Sequence, residues 1–343
     1  MTGAMFRSGL PLLFVLLSTA VLSDARRVDW TFTREAGWNK VYQLVLSVGT
    51  PPQSMNVSLG EPANTDDVEV SSYAFSATAS SSFEQTGIVY DWRKYEIGVS
   101  GVENFAIGDN GELTVEQAPF EVMDGDRFYE PSGGLFSWRR QENVSNSFIQ
   151  TALQQLDEQI VVFSYDHVPQ SIELFGSGVV TLGARPADRC GDDWKYAPEA
   201  EIHPNYTRWS MNADEVSFGA YTFDSPGEVS FGFQGGVPEM ENFGLEFPFA
   251  YRSALLKALG AQSETNAPCD VDVDIVITIG EVELRVTAHD YVNHASEQSG
   301  TCELYLEFSN DAIIDLPTTV WNRYCFLLDY ENAQLGFATR LQQ

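Results

Sequence analysis

Paired carboxylates are the first chemistry to look for in this chain. Two carboxylates held about 3 Å apart can share one proton and activate a water molecule as a nucleophile. The chain has 49 Asp and Glu residues, and three of them, Glu61, Asp66 and Asp67, lie in one short stretch after an apolar segment. In the second half, Asp224 and Glu228 precede the Gly-rich stretch at residues 229–236, and Glu239 follows it. Because a displacement of about 1 Å already disables such a pair, these scattered acids predict no working pair.

Metal ligands and nucleophile motifs give no stronger signal. His289 and His294 are five residues apart, but no His-Glu-x-x-His motif is present, so we interpret them as surface residues. Asp270, Asp272 and Asp274 alternate with apolar residues, which predicts a half-buried strand with its acids outward rather than a calcium loop. Neither a Gly-x-Ser-x-Gly elbow nor a phosphate-binding Gly-x-x-x-x-Gly-Lys loop occurs. We therefore predict no metal and no cofactor.

The first 25 residues have the pattern of a secretory leader. Arg7 precedes an apolar stretch over residues 10–17, and small residues follow it, which predicts cleavage near residues 20–25. The stretch is shorter than the roughly 20 residues that span a membrane, so we expect a soluble secreted protein, with an uncleaved anchor as the alternative. Three N-glycosylation sequons agree with export, at Asn56, Asn143 and Asn205.

The four cysteines all lie in the second half of the chain. An even number of cysteines behind a secretory leader predicts two disulfides. From their number alone three pairings are open among Cys190, Cys269, Cys302 and Cys325.

Composition and charge limit the partners. Apolar residues make up 43 % of the chain and aromatic residues 13 %, enough for a substantial core. The formal net charge of -30 repels nucleic acid and anionic membranes, so we predict neither as a partner. An acidic surface is common on secreted proteins, and it also suits an acidic lumen.

Short strand-like runs dominate the rest of the sequence and are separated by clusters of Gly, Asn, Asp and Pro. This pattern predicts an all-β protein rather than an alternating α/β fold. Helices are predicted only at residues 147–156 and 250–261, the second ending at Gly260. The predicted strands are residues 41–48, 84–90, 96–107, 159–163, 179–182, 209–221, 275–279, 281–288, 303–308 and 325–328.

Several motifs, in order along the chain, resemble those of the pepsin-like aspartic proteases. The first is Val-Gly-Thr-Pro-Pro-Gln at residues 48–53, which resembles the turn before the family's first catalytic loop. The likeness covers the chain from about residue 40 onward. The other matching segments are residues 88–90, 133–138, 181–183, 274–279, 324–329 and 334–338.

This resemblance implies a fold and a set of positions. The fold is bilobal and all-β, with two β-barrel-like lobes and a few short helices, and the lobes would span residues 26–185 and 186–343. Tyr90 falls at the place of the family's flap tyrosine. The resemblance also implies a C-terminal disulfide between Cys269 and Cys302. A second pair, Cys190 with Cys325, resembles an extra disulfide of nematode members and makes the chain nematode-like.

The family's catalytic aspartates do not carry over. Each family member needs two Asp-Thr/Ser-Gly loops, and no such triplet occurs in this chain. The alignment places Gly60 and Gly232 at the two catalytic positions. The resemblance thus implies a non-catalytic, monomeric homologue that binds a peptide or protein in the cleft between its lobes. The alternatives are an aspartic-type endopeptidase with unconventional or residual acid proteolysis, and a structural secreted protein whose cleft is closed.

Overall fold

The computed structural model describes residues 26–34, 42–59, 68–90, 94–125, 133–136, 138, 140, 147–166, 177–200, 209–231, 245–310, 313–316, 320 and 323–341, and the statements below concern these residues. No helix among them is long and apolar enough to cross a membrane.

Alternating apolar residues build the strands of the N-terminal half. In the second strand Tyr42, Leu44, Leu46 and Val48 are buried, while Val45 points outward, as the two-residue period of a strand requires. The N-terminal half consists of β1 (Val28–Arg34), β2 (Tyr42–Val48), β3 (Gln53–Ser58), β4 (Val68–Ser71), β5 (Glu84–Tyr90), β6 (Glu96–Ile107), β7 (Leu113–Met123), β8 (Gly134–Leu135), α1 (Phe148–Leu153), β9 (Ile160–Tyr165) and β10 (Ser177–Leu182).

The C-terminal half has the same character. It consists of β11 (Lys195–Pro198), β12 (Trp209–Phe218), β13 (Tyr221–Phe231), β14 (Leu245–Pro248), α2 (Arg252–Ala258), β15 (Asn266–Pro268), β16 (Ile275–Ile279), β17 (Val282–Val286), α3 (Ala288–Tyr291), β18 (Val292–Gln298), β19 (Thr301–Leu304), β20 (Leu306–Ser309), β21 (Ile313–Asp315), β22 (Tyr324–Asp329) and β23 (Gln334–Thr339).

The strands form three sheets. The largest has the order β11-β23-β22-β9-β10-β1-β2-β3-β8-β4-β7-β6-β5, so the last strands of the chain continue the sheet of the N-terminal half. A second sheet has the order β17-β16-β12-β13-β21-β14-β20, and a small third sheet has the order β15-β19-β18. The all-β prediction is confirmed.

One pairing scheme occurs in both halves. In the N-terminal half β3 is antiparallel to β2 and parallel to β8, β8 is antiparallel to β4, and β4 is parallel to β7. In the C-terminal half β13 is antiparallel to β12 and parallel to β21, β21 is antiparallel to β14, and β14 is parallel to β20. β3 and β13 are therefore held by the same arrangement of paired strands, which we call the frame of each strand.

Aromatic side chains join the two halves in the core. Trp138 packs edge-on against Phe163, and its carbonyl oxygen accepts hydrogen bonds from Trp209 Nε1, at 2.7 Å, and from the hydroxyl of Tyr330. Trp209 and Tyr330 also pack against each other with ring centroids 5.1 Å apart. These contacts tie a segment of the N-terminal half to β12 and to the end of β22.

The segment between β10 and β11 is held in place at several points. Arg189 Nε donates to Ser164 Oγ at 2.7 Å, and its guanidinium forms an ion pair with Asp166. The next residue, Cys190, is joined to Cys325 of β22 with a Cα–Cα distance of 5.8 Å. The second disulfide joins Cys269 to Cys302 with a Cα–Cα distance of 4.9 Å. These are the two pairs that the resemblance implies.

The structure corrects some of the predicted elements. The run predicted at residues 209–221 is two strands, because the chain turns at Gly219, whose φ is +58°, and returns as β13. The run at residues 303–308 is broken at Tyr305 into β19 and β20. Asp270, Asp272 and Asp274 lie in a turn and an irregular segment, so the predicted strand there is wrong, although the alternation of exposure is present.

Other predicted elements agree closely. The structure has strands at Glu84–Tyr90, Glu96–Ile107 and Ile275–Ile279, with the predicted bounds. The first predicted helix forms as α1, with Ser147 Oγ accepting a hydrogen bond from the backbone N–H of Gln150 as an N-cap. The second forms as α2 after a short 3₁₀ turn, and Gly260 adopts φ +61° after it.

Candidate functional site

The turn at residues 48–53 sets the register of the first candidate loop. Gly49 has φ +88°, and a Cβ atom there would lie 2.8 Å from Ser80 Oγ, so only glycine fits without strain. The Gly49 N–H donates to the Asn104 carbonyl at 2.9 Å, and Ser80 Oγ accepts from the Thr50 N–H at 3.0 Å. The Gln53 side-chain amide binds both the N–H and the carbonyl of Ser76. This turn fixes the start of β3.

β3 then carries the chain to the first candidate position. Val57, Ser58 and Leu59 are buried, and Ser58 is in register with Leu135 of β8. The Leu59 N–H donates to the Tyr42 carbonyl at 3.0 Å. Gly60 follows directly, but it lies outside the described residues, as do the acids Glu61, Asp66 and Asp67.

β13 brings the chain to the second candidate position in the same way. Val229 is buried and in register with Ile314 of β21, and Ser230 is in register with Asp315. Gly232 follows β13 directly and lies outside the described residues. Ser58 and Ser230 each stand two residues before these glycines, and each is in register with a residue of the parallel partner strand. The strands that precede the two glycines, β3 and β13, thus have equivalent pairing partners.

Asp315 is a candidate site residue that sequence reasoning missed. It is only 7 % exposed, and it lies next to the strand that leads to Gly232. On its other side Asp315 is in register with Glu246 of β14, so two carboxyl groups face each other across the strand pair. The sequence signal was an aspartate inside the apolar run at residues 313–316. Its neighbour Ser230 is far away in sequence, so only the sheet pairing reveals the proximity.

The β5–β6 hairpin holds the predicted flap residue. Tyr90 is the last residue of β5, is in register with Glu96, and is 57 % exposed. Ile88, two residues earlier, is 43 % exposed, and Tyr95 before β6 is 58 % exposed. Further along β6 both Ile97 and Val99 are half-buried. Several large apolar side chains near the end of this hairpin are therefore exposed or only half-buried.

The described residues contain no cluster of three or more His, Cys, Asp or Glu side chains that could hold a metal ion. The rings of His289 and His294 lie 5.6 Å apart, and both side chains are exposed. Asp290 between them is engaged elsewhere, because its carboxylate accepts hydrogen bonds from Arg323 and from Thr287. The arrangement agrees with the interpretation of these histidines as surface residues.

Of the three sequons, only Asn56 lies in a described segment, on the outward face of β3. Asn143 and Asn205 lie outside the described residues.

Comparison with known proteins gives one distant likeness. No protein-family model matches the chain. The chain is 23 % identical over 334 residues to Aspartic protease 1 of Caenorhabditis elegans, covering 87 % of this chain and 82 % of that protein. This likeness and the sheets described above fit the all-β, bilobal fold of the pepsin-like proteases. The chain is thus a distant relative of an aspartic protease, with that protein's fold class.

Proposed function

We propose that this protein is a secreted, non-catalytic homologue of the pepsin-like aspartic proteases that binds a peptide or protein segment between its two halves. The observation that carries the proposal is the β5–β6 hairpin. Its side chains Ile88, Tyr90 and Tyr95 are 43 %, 57 % and 58 % exposed and together offer apolar surface to solvent. The resemblance places the flap of the family at this hairpin.

The physical chemistry of the hairpin favours binding. Tyrosine combines a large apolar ring with a hydroxyl, and it is among the residues that contribute most to interfaces. An isolated exposed apolar residue is ordinary, but several together on one hairpin indicate an interaction site. Covering them removes apolar area from water, at roughly 25 cal/mol per Å². We expect the ligand to be an extended segment with apolar side chains, because such a segment matches a hairpin surface.

The proposed absence of catalysis rests on the residues that follow β3 and β13 in the sequence. We take the residues that follow Leu59 and Phe231, which are Gly60 and Gly232, as the counterparts of the family's catalytic aspartates, because β3 and β13 have equivalent strand partners. Glycine has no side chain that can hold or move a proton. A water between the two loops would therefore lack the general base that peptide hydrolysis in this family requires.

A second candidate function is an aspartic-type endopeptidase with unconventional carboxylates. The observation that favours it is Asp315, a buried acid beside the strand that leads to Gly232. Together with Glu61, Asp66 or Asp67 from the first loop, Asp315 would supply the second carboxylate of a rebuilt pair. The likeness to a protein named Aspartic protease 1 supports the same candidate.

Export is part of the first proposal. The predicted leader, the three sequons and the two disulfides Cys190–Cys325 and Cys269–Cys302 together favour an oxidising, secretory route.

A binding experiment with matched variants tests the proposal. The chain, exported from a eukaryotic host, is mixed with a synthetic library of random peptides, and bound peptides are identified by mass spectrometry after gel filtration. We expect selective retention of apolar peptides, and we expect Tyr90→Ala to weaken the tightest of them about tenfold or more. Phe249→Ala is the control, because Phe249 is similarly exposed, at 54 %, but lies on the C-terminal half.

Two outcomes would count against binding at the hairpin. If no peptide is retained by the folded wild-type chain, the structural alternative with a closed cleft is favoured. If Tyr90→Ala and Phe249→Ala weaken binding equally, the hairpin is not the binding site. Circular dichroism and thermal melting of both variants confirm that each is folded.

A further inference from the structure

A cross-strand pair on the outward face of the largest sheet joins a sequon to an exposed valine. In the β2–β3 pair Val45 is directly in register with Asn56. Both side chains point away from the core, since their strand neighbours Leu44, Leu46 and Met55 are buried. Residues directly opposite in an antiparallel pair have Cβ atoms about 4.5–5.5 Å apart. Whatever is attached to Asn56 therefore lies beside Val45.

Val45 is unusual for its position. It is 54 % exposed although it stands in the middle of β2, which pairs with β3 at Val45 itself and with β1 over residues 42–44. The other large apolar side chains of comparable exposure lie on the β5–β6 hairpin, after a strand end, in a 3₁₀ turn or near the C-terminus: Ile88, Tyr90, Tyr95, Tyr73, Phe249 and Leu341. An outward valine within the sheet is a surface that an attached group could cover.

We propose that Asn56 carries an N-linked glycan and that its first N-acetylglucosamine packs on Val45. This rests on the proposed export of the chain. The faces of this sugar carry C–H groups and an acetamide methyl, which pack on a valine side chain as apolar groups do. Glycans of this kind belong on exposed residues of secreted proteins, and Asn56 meets that condition.

The attachment is a glycosyl transfer from a lipid-linked diphosphate oligosaccharide. Asn56 Nδ2 forms a bond to the anomeric carbon of the first sugar, the bond between that carbon and the diphosphate oxygen breaks, and Nδ2 loses one proton. The lipid diphosphate leaves with the bonding electron pair. No oxidant or reductant is required.

The structure also indicates when the transfer takes place. The hydroxyl residue of this sequon is Ser58, which is fully buried at 0 % exposure and paired with Gln43 of β2. A transferase that must contact both Asn56 and Ser58 cannot reach the second once β2 and β3 have paired. The glycan is thus added to the nascent chain before this hairpin closes.

The test uses the full chain with its own leader, and in parallel the full chain behind an added export signal, both expressed in a eukaryotic host. Glycopeptide mass spectrometry measures the occupancy of Asn56, with Asn143 and Asn205 as internal markers of passage through the secretory route. We expect most chains to carry a glycan at Asn56. Folded protein from bacteria, offered the same transferase and lipid-linked donor, should remain unmodified at Asn56.

A second measurement tests the contact with Val45. Enzymatic removal of the glycan from the folded protein should lower the melting temperature by roughly 1–3 °C. In Val45→Thr the same treatment should change it by less than half as much, and Asn56→Gln serves as the variant that never carries the glycan.

The outcomes separate this inference from the proposed export. If the chain enters the lumen only behind the added signal, the proposed export fails while occupancy of Asn56 is still measured. If Asn56 is unmodified in chains that reached the lumen, the glycan is absent and the inference is overturned. If Asn56 is occupied but glycan removal affects wild type and Val45→Thr equally, the packing on Val45 is overturned.

Discussion

The N-terminal and C-terminal halves hold β3 and β13 in the same frame but place different side chains beside them. Each strand has an antiparallel partner on one side and a parallel partner on the other. The residue in register with Ser58 is Leu135, whereas the residue in register with Ser230 is Asp315. Both are buried, at 8 % and 7 % exposure. The pairing of the strands is therefore the same in both halves although the side chains beside β3 and β13 differ. This is expected when function depends on a few side chains carried by a fold.

The hairpins of the two halves differ as well. The β16–β17 hairpin turns at Gly280, and its inward residues, among them Ile277 and Leu284, are fully buried. The β5–β6 hairpin is longer and ends in exposed apolar residues. A hairpin that only had to fold would bury its apolar residues, as β16–β17 does. The contrast favours an interaction role for β5–β6.

The largest difference in stability is expected from the disulfides, since all four cysteines belong to the C-terminal half. Cys190 and Cys325 are 135 residues apart, and Cys269 and Cys302 are 33 apart. Loop entropy predicts that replacing the first pair by alanine lowers the free energy of unfolding by about 5 kcal/mol, and the second pair by about 4 kcal/mol. Urea unfolding of both double variants measures this. A larger loss for the Cys269–Cys302 pair would show that local packing, rather than loop length, dominates.

A buried acid of the C-terminal half should be the next most sensitive position. The Asp290 side chain is 3 % exposed and accepts hydrogen bonds from both terminal nitrogens of Arg323. It also caps α3 through the N–H and hydroxyl of Thr287. Asp290→Asn removes the charge from this pair and should lower the free energy of unfolding by about 2–4 kcal/mol.

The matched control for Asp290 is Asp274→Asn. Asp274 forms an ion pair with Arg285 in which both side chains are at least one-third exposed, at 36 % and 50 %. Such a pair contributes about 0–1 kcal/mol. Equal losses for Asp290→Asn and Asp274→Asn would contradict a special role for the buried pair.

Replacing a buried acid of the N-terminal half should instead raise the free energy of unfolding. Glu103 of β6 is 0 % exposed, its Oε1 accepts from the Asn104 N–H at 2.8 Å, and no donor in the described part of the chain reaches its Oε2. A buried charge without a cationic partner is costly. Glu103→Gln should raise the free energy of unfolding at neutral pH by about 1–3 kcal/mol. The control is Glu96→Gln at an exposed position, which should change the free energy of unfolding by less than about 0.5 kcal/mol. A loss of stability in Glu103→Gln would contradict this prediction and would show that the Glu103 carboxylate stabilises the fold.

Local patterns predicted much of the fold. Short apolar runs separated by turn residues predicted β2, β5, β6 and β16, and helical spacing of apolar residues, with Gly260 at the end of the second helix, predicted the helices. β7 was missed because Glu116, Gln117 and Pro119 interrupt its alternation, and Gln117 adopts φ +52° at an irregularity of the β6–β7 pairing. The strand propensity of the residues is a weak predictor of a strand where such irregularities occur.

The candidate site was less predictable. The turn at Gly49 is local, so its motif located the first loop. Asp315 is brought to Ser230 by pairing across a long sequence separation, and no local pattern reports such a pairing. The equivalence of the two halves likewise exists only in the sheet order.

The central claim is that the two halves meet without a working pair of carboxylates. The most direct test incubates the exported, folded chain with denatured haemoglobin between about pH 3 and 5, with and without pepstatin, whose statine hydroxyl replaces the water held between two catalytic aspartates. Asp315→Asn is run beside the wild type. The account predicts the same peptides with and without pepstatin, no pepstatin binding, and no effect of Asp315→Asn. Pepstatin-sensitive cleavage that Asp315→Asn abolishes would contradict it and would identify Asp315 as a catalytic carboxylate.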